Sequence, residues 1–162
     1  MPVTIQDMTS EEYAYFFRWS IQSQAKELVE EGNCAWEEAL VIAETELTGI
    51  LQGPEHQRLM TVTETSSGEN IGFIWMLHEQ TDGRQQCFLC DFAIWEPYRR
   101  KGFGTAALAL AEKDASEAGC QEIVLFVTDK NTAAKALYEK SGYRPLRPKD
   151  SGMYMIKPLS PF

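Results

Sequence analysis

Residues 99–104 read Arg-Arg-Lys-Gly-Phe-Gly, and their setting constrains the fold more than any other stretch of the chain. An apolar, strand-like run, Phe88 to Trp95, precedes them, and a helix-like run, Thr105 to Ala118, follows. Strand, glycine loop and helix N-terminus in succession make an anion cradle, because loop N–H groups point outward and the helix dipole favours negative charge. Arg99, Arg100 and Lys101 add three cations, so the expected guest carries phosphates. Neither familiar nucleotide loop fits: there is no Gly-Lys-Ser/Thr ending, and only the first two glycines of a dinucleotide fingerprint are present. An ATP-type phosphate domain is disfavoured on that ground. The alternative, a plain strand-to-helix turn with surface cations, is disfavoured by three consecutive cations running into Gly-x-Gly.

A second signal lies downstream. Glu122 to Thr128 reads as a buried strand, and Asn131 to Tyr143 as a capped helix ending at Gly142. The Arg99-x-x-Gly102-x-Gly104 loop with its strand, and the Asn131…Ala134…Leu137-Tyr138…Gly142-Tyr143 helix, together resemble the GNAT family of acetyl-CoA-dependent N-acetyltransferases over roughly Phe88 to Tyr143. The resemblance implies an α/β fold of mixed α+β type, a single domain over 1–162 with a mixed, mostly antiparallel sheet of about six to seven strands and about four helices. Its helical acceptor side would occupy about 1–55, its acetyl-CoA-binding core about 58–143, and its last strands 143–158.

Length and composition agree, since 162 residues with 44% hydrophobic content suit one domain with a filled core. The N-terminus lacks a basic, then apolar, leader pattern, and no run approaches the ~20 apolar residues of a membrane span, so a cytoplasmic protein without a membrane partner is expected. The four cysteines include Cys87-x-x-Cys90, but within a strand these two point to opposite faces; buried thiols are expected, and no metal. Residues 1–95 hold sixteen acids and four bases, whereas residues 96–162 hold eight acids and eleven bases. The basic part contains the phosphate loop; the acidic part would attract a cationic acceptor and repel nucleic acid. Glu-rich helix faces that simply keep the protein soluble explain the same numbers.

Along the chain, Val3 to Gln6 suggests a short strand. Thr9-Ser-Glu-Glu12 has capping-box spacing before a helix that should end at Gly32. A second helix is expected over about Trp36 to Leu51, stopped by Gly53-Pro54. Arg58 to Thr65, Ile71 to His78 and Cys87 to Trp95 read as an antiparallel meander. The helix after the loop makes a crossover, which predicts a parallel partner at Glu122 for the third meander strand. Tyr143 to Arg147 and Met153 to Lys157 read as the final strands, and Pro158 to Phe162 as a loose tail. Tyr13, Tyr15, Phe16, Phe17, Trp19 and Trp36 crowd the N-terminal helices, either as core or as the wall of an acceptor pocket.

The resemblance also implies site residues. The two central parallel strands would splay, and the backbone of Phe92, Ala93 and Ile94 would pair with the pantetheine arm. Arg99, Arg100, Lys101, Gly102, Phe103, Gly104 and Thr105 would wrap the pyrophosphate, and Asn131 would cap its helix and hydrogen-bond the cofactor arm. Amine acetylation must remove a proton from an alkylammonium, hold a developing oxyanion and protonate a departing thiolate. Tyr138 is the expected acid for the thiolate, its alternative being a packing aromatic. The oxyanion contact is expected from a backbone N–H near Ile94. For the base, some relatives in the family place a glutamate where this chain has Phe126, so Asp91 comes first, ahead of Glu79, His78 and Glu96, with a water chain as the alternative. The expected function is acetyl transfer from acetyl-CoA to a primary amine of a small molecule, polyamine or peptide by direct attack. The alternative is a CoA-binding regulatory module without chemistry. Family members often pair as homodimers, which the resemblance extends to this chain.

Overall fold

The structure is a computed structural model that describes residues 2–32 and 34–160. Two compact units emerge: Met8–Pro54, and Met1–Asp7 together with Glu55–Phe162.

The first unit is a helical pair, α1 (Ser10–Glu30) and α2 (Trp36–Leu51). The capping box forms as its spacing predicts. Thr9 Oγ1 accepts the Glu12 N–H at 3.1 Å, and Glu12 Oε1 accepts the Thr9 N–H at 2.9 Å. Gly32, at φ +77°, follows the end of α1, a conformation glycine adopts without steric cost. Ala25, Ala39 and Ala43 form a small-residue core between the helices, with Ile21, Leu28 and Leu40 packed around it.

The second unit is a seven-stranded sheet of β1 (Val3–Asp7), β2 (His56–Glu64), β3 (Asn70–Thr81), β4 (Arg84–Ile94), β5 (Glu122–Thr128), β6 (Arg144–Lys149) and β7 (Gly152–Pro158), in the order β1-β2-β3-β4-β5-β7-β6. Every neighbouring pair is antiparallel except β4–β5. That parallel pair needs a crossover, which a short 3-10 turn at Glu96–Tyr98 and helix α3 (Phe103–Glu117) supply. Helix α4 (Thr132–Lys140) joins β5 to β6. Ala107, Leu108, Ala111 and Ala115 of α3 pack on Met60, Ile74, Met76, Leu89, Ile123 and Leu125, so the core lies between the sheet and these helices. The mixed, mostly antiparallel sheet expected from the sequence is present.

One expectation is corrected. Pro158 to Ser160 is not loose, because the Leu159 N–H donates to Gln121 O at 2.9 Å, Leu159 packs on the core, and Ser116 Oγ donates to Ser160 O at 2.7 Å. The rest of that expected tail, 161–162, lies outside the described residues. No described helix is long and apolar enough to cross a membrane.

Candidate active site at the β4–β5 gap

The parallel pair is short. β4 and β5 stay in register only from Gln86↔Glu122 to Leu89↔Leu125. Beyond that, β4 continues to Ile94 along β3, and β5 continues to Thr128 along β7, so the two strands part. The cause is a bulge: Met76 pairs with Leu89 and Trp75 with Asp91, leaving Cys90 as the extra residue. A bulge bends its strand and shifts the in–out alternation. Accordingly Cys87 and Leu89 before it, and Phe92 and Ile94 after it, all join the core on the helix side. Burial, and then the negative charges of Asp91 and Glu79, push the Cys90 thiol up to about 12.

The strand alternation also aims the backbone. The Trp95 N–H donates to Ile71 O at 2.8 Å, toward β3, so the N–H groups of Phe92 and Ile94 face away from β3 and into the gap. Asp91 Oδ1 accepts the Phe92 N–H at 2.9 Å. Arg99 Nε donates to Ile94 O at 2.7 Å, which ties the start of the glycine loop to the end of β4. The Ile94 N–H is therefore the donor that the fold directs into the gap beyond the last β4–β5 pair.

The loop turns through Arg100 at φ +63° and Gly102 at φ +82°. Gly102 is the N-cap of α3 and provides no side-chain cap, and no acid occupies the first turn. By contrast, α1 and α2 begin with Glu11, Glu12 and Glu37, Glu38. The N–H groups of Phe103, Gly104 and Thr105 thus precede the first intrahelical acceptor and meet no carboxylate from their own turn, which leaves the dipole's positive end for an outside anion. The two glycines serve different ends. Gly102 is needed for its backbone angle, since a Cβ there would meet nothing within 4 Å. A Cβ on Gly104 would lie 3.6 Å from Leu137 Cδ2, 3.9 Å from Ile94 Cγ1 and 4.0 Å from Phe92 Cζ, so a larger side chain would fill the space between α4 and β4.

Across the gap, Asn131 Oδ1 caps α4 by accepting the Ala134 N–H at 3.1 Å, and the Asn131 side chain is exposed. Tyr138 is buried on the last turns of α4. The Tyr143 N–H donates to Tyr138 O at 2.9 Å, and the two rings meet edge-on at 5.7 Å. Gly142 at φ +98° makes that return possible. Burial first, and then the Asp91 charge, push the Tyr138 phenol well above its ordinary value.

The other base candidates sit elsewhere. His78 pairs with Cys87, short of the bulge, and lines a cleft with His56, Arg58, Asp114 and Glu117 beside the C-terminal half of α3. Burial and then the His56 charge lower its pKa. Glu79 pairs with Gln86 near the start of β4, and Glu96 is exposed in the 3-10 turn. Sequence reasoning missed Gly72, whose Cβ would strike Ala93 O at 2.2 Å. No local signal marks it, because its neighbour comes from twenty-one positions away.

A glycine loop with cations at the head of a crossover helix, beside two parting parallel strands, is the arrangement expected of an acetyltransferase core. A family comparison agrees: residues 19–143 match the Acetyltransferase (GNAT) family, and the chain belongs to it. It is by class an N-acetyltransferase. Among relatives, it is 29% identical to the uncharacterised N-acetyltransferase YycN of Bacillus subtilis over 147 residues, covering 89% of this chain and 94% of that protein. It is 28% identical to YdgE of the same organism, covering 88% and 92%. The crystal structure of YycN superposes with a TM-score of 0.81 at 27% identity, covering 92% of this chain and 96% of that one. The fold is also shared with the PaiA N-acetyltransferase of Thermoplasma acidophilum in complex with coenzyme A, at a TM-score of 0.68 and 18% identity, covering 98% and 99%.

Proposed function

We propose that the protein moves an acetyl group from acetyl-CoA to a primary amine by direct attack in a ternary complex. The observation that carries this reading is the parting of β4 and β5 at Cys90, opposite an α3 N-terminus with no acid in its first turn. Acetyl-CoA fits the residues present: the Phe103, Gly104 and Thr105 N–H groups with Arg100 and Lys101 suit a pyrophosphate, and the exposed Asn131 amide and the β4 edge suit an amide-bearing arm.

In the reaction the amine nitrogen bonds to the thioester carbon, the C–S bond breaks, and the oxyanion formed between these events accepts the Ile94 N–H. Tyr138 donates its proton to the leaving sulfur. Its raised pKa keeps the phenol protonated throughout the physiological range, and burial with the Asp91 charge disfavours a lasting phenolate, so the proton moves as the C–S bond breaks and is replaced from solvent. Asp91 takes the proton that the ammonium loses before attack, one carboxylate oxygen being anchored by the Phe92 N–H, and the second proton, which the nitrogen sheds once bonded to the acyl carbon, passes to solvent.

The test is free-thiol release from acetyl-CoA with a panel of monoamines, polyamines, amino acids and peptides. Amine-dependent release is expected. Acetyl-CoA binding without release for any amine class would instead favour a binding module.

A further inference from the structure

The face of the sheet opposite α3 and α4 has a chemistry that the acidic overall charge conceals. Register places Val124, Phe126 and Thr128 of β5 beside Ile156, Tyr154 and Gly152 of β7. Phe126 is the first β5 residue beyond the last β4–β5 pair, so it borders the gap, and it is 37% exposed. Its ring lies over Gly152, where an added Cβ would come within 2.3 Å of Phe126 Cζ, and meets Tyr154 edge-on at 5.1 Å. On β6, a register shift between Pro145 and Arg147 leaves Leu146 unmatched. Arg144 then opposes Ile156, Arg147 opposes Tyr154 and Lys149 opposes Gly152, so all three cations share the face with Phe126. Arg147 Cζ stands 4.8 Å from the Tyr154 ring centroid and Lys149 Nζ 6.0 Å. The one acid in this register on β5, β6 and β7, Glu122, is at the start of β5 and is paired with Arg84 at 2.8 Å.

We infer that this aromatic and cationic face selects the acceptor, and that the acceptor is an amine bearing an anionic group rather than a second ammonium. The inference rests on the acetyltransferase reading for the location of the reacting carbonyl. An ammonium directed to Asp91 on β4 leaves an anion to meet the guanidinium held over Tyr154 of β7, across the β4–β5 gap and one further strand, and so more than two regular strand spacings, or over about 10 Å, away. An apolar chain between the two groups lies along Phe126.

Three probes of one length separate the charge requirement: ω-aminooctanoate, octylamine and diaminooctane. Equilibrium binding of each to the CoA-loaded protein is measured by calorimetry, with thiol release from acetyl-CoA followed separately. The aminocarboxylate is expected to bind about tenfold tighter than the diamine, the scale of two partly exposed charge contacts whose sign is reversed. Arg147→Gln with Lys149→Gln, on a strand exposed throughout, should reduce that preference to about twofold or less and leave CoA affinity unchanged. Equal or tighter binding of the diamine, or a preference that survives the double variant, overturns the inference. Thiol release tests the acetyltransferase reading independently, since the order of binding affinities does not depend on turnover.

Discussion

Gly72→Ala is the most incisive test of how the sheet holds the reaction centre. Gly72 on β3 faces Ile94 on β4, and a Cβ at 72 would lie 2.2 Å from Ala93 O, with Ala93 C and Ile94 Cα both at 3.1 Å. These are backbone atoms, so no side chain can swing aside. Ordinary contact for such atoms is a little over 3 Å, so β4 must retreat from β3 by about 1 Å just where the Ile94 N–H is aimed. The overpacking should cost about 1–3 kcal/mol of stability. The displacement should cost more in catalysis, because a misplacement of about 1 Å lowers the rate on the order of a hundredfold. Thiol-release kinetics, a thermal melt and acetyl-CoA affinity on one preparation separate the two losses. Gly49→Ala in α2 is the control: nothing lies within 4 Å of its Cβ, and an alanine in a helix should add about 0.5–1 kcal/mol. A folded Gly72→Ala protein with kcat within about twofold of the parent would refute the aim of Ile94 as the oxyanion donor.

Gly104→Glu should abolish acetyl-CoA binding without unfolding the chain, since it adds bulk and negative charge between Phe92, Ile94 and Leu137; titration calorimetry with a melt checks this. Tyr138→Phe should preserve acetyl-CoA affinity while lowering kcat by roughly 10²–10⁴, the usual contribution of a positioned acid, and unchanged kcat would make Tyr138 a packing residue. Asp91→Asn should shift or flatten the rising alkaline limb of the pH–rate profile if Asp91 accepts the proton, and leave its midpoint in place otherwise. Stability should fall in alkali. The Cys90 thiol and the Tyr138 and Tyr143 phenols all have folded pKa values raised by burial first, so the unfolded chain releases these protons earlier. The loss begins near the unfolded cysteine value of about 8.5, steepens near the tyrosine value of about 10, and amounts to at most about 1.4 kcal/mol per pH unit for each group. Denaturant midpoints flat from pH 8 to about pH 11 would contradict this.

Much of the fold was legible because its signals are local. The capping box at Thr9, the stop at Gly32, the extent of α2 and the glycine loop before α3 depend on neighbours within a turn or two, and the structure reproduces them. The order of the loop and the Asn131 helix was enough to indicate the family. The reason each glycine is there was less legible: Gly102 and Gly104 look alike in sequence, yet one answers a backbone angle and the other a space.

The sequence by itself determined the elements, their order and the anionic character of the guest, since periodicity, caps and charge act over short distances. Tertiary structure alone decided where β4 leaves β5, because the extra residue at Cys90 exists only relative to a partner strand. It also decided that Gly72 guards β4, that Ser160 is tied to α3, and that Arg144, Arg147 and Lys149 share one face. Each of these depends on register, and register is a relation between strands distant in sequence. A one-residue slip would reverse it without changing any local pattern.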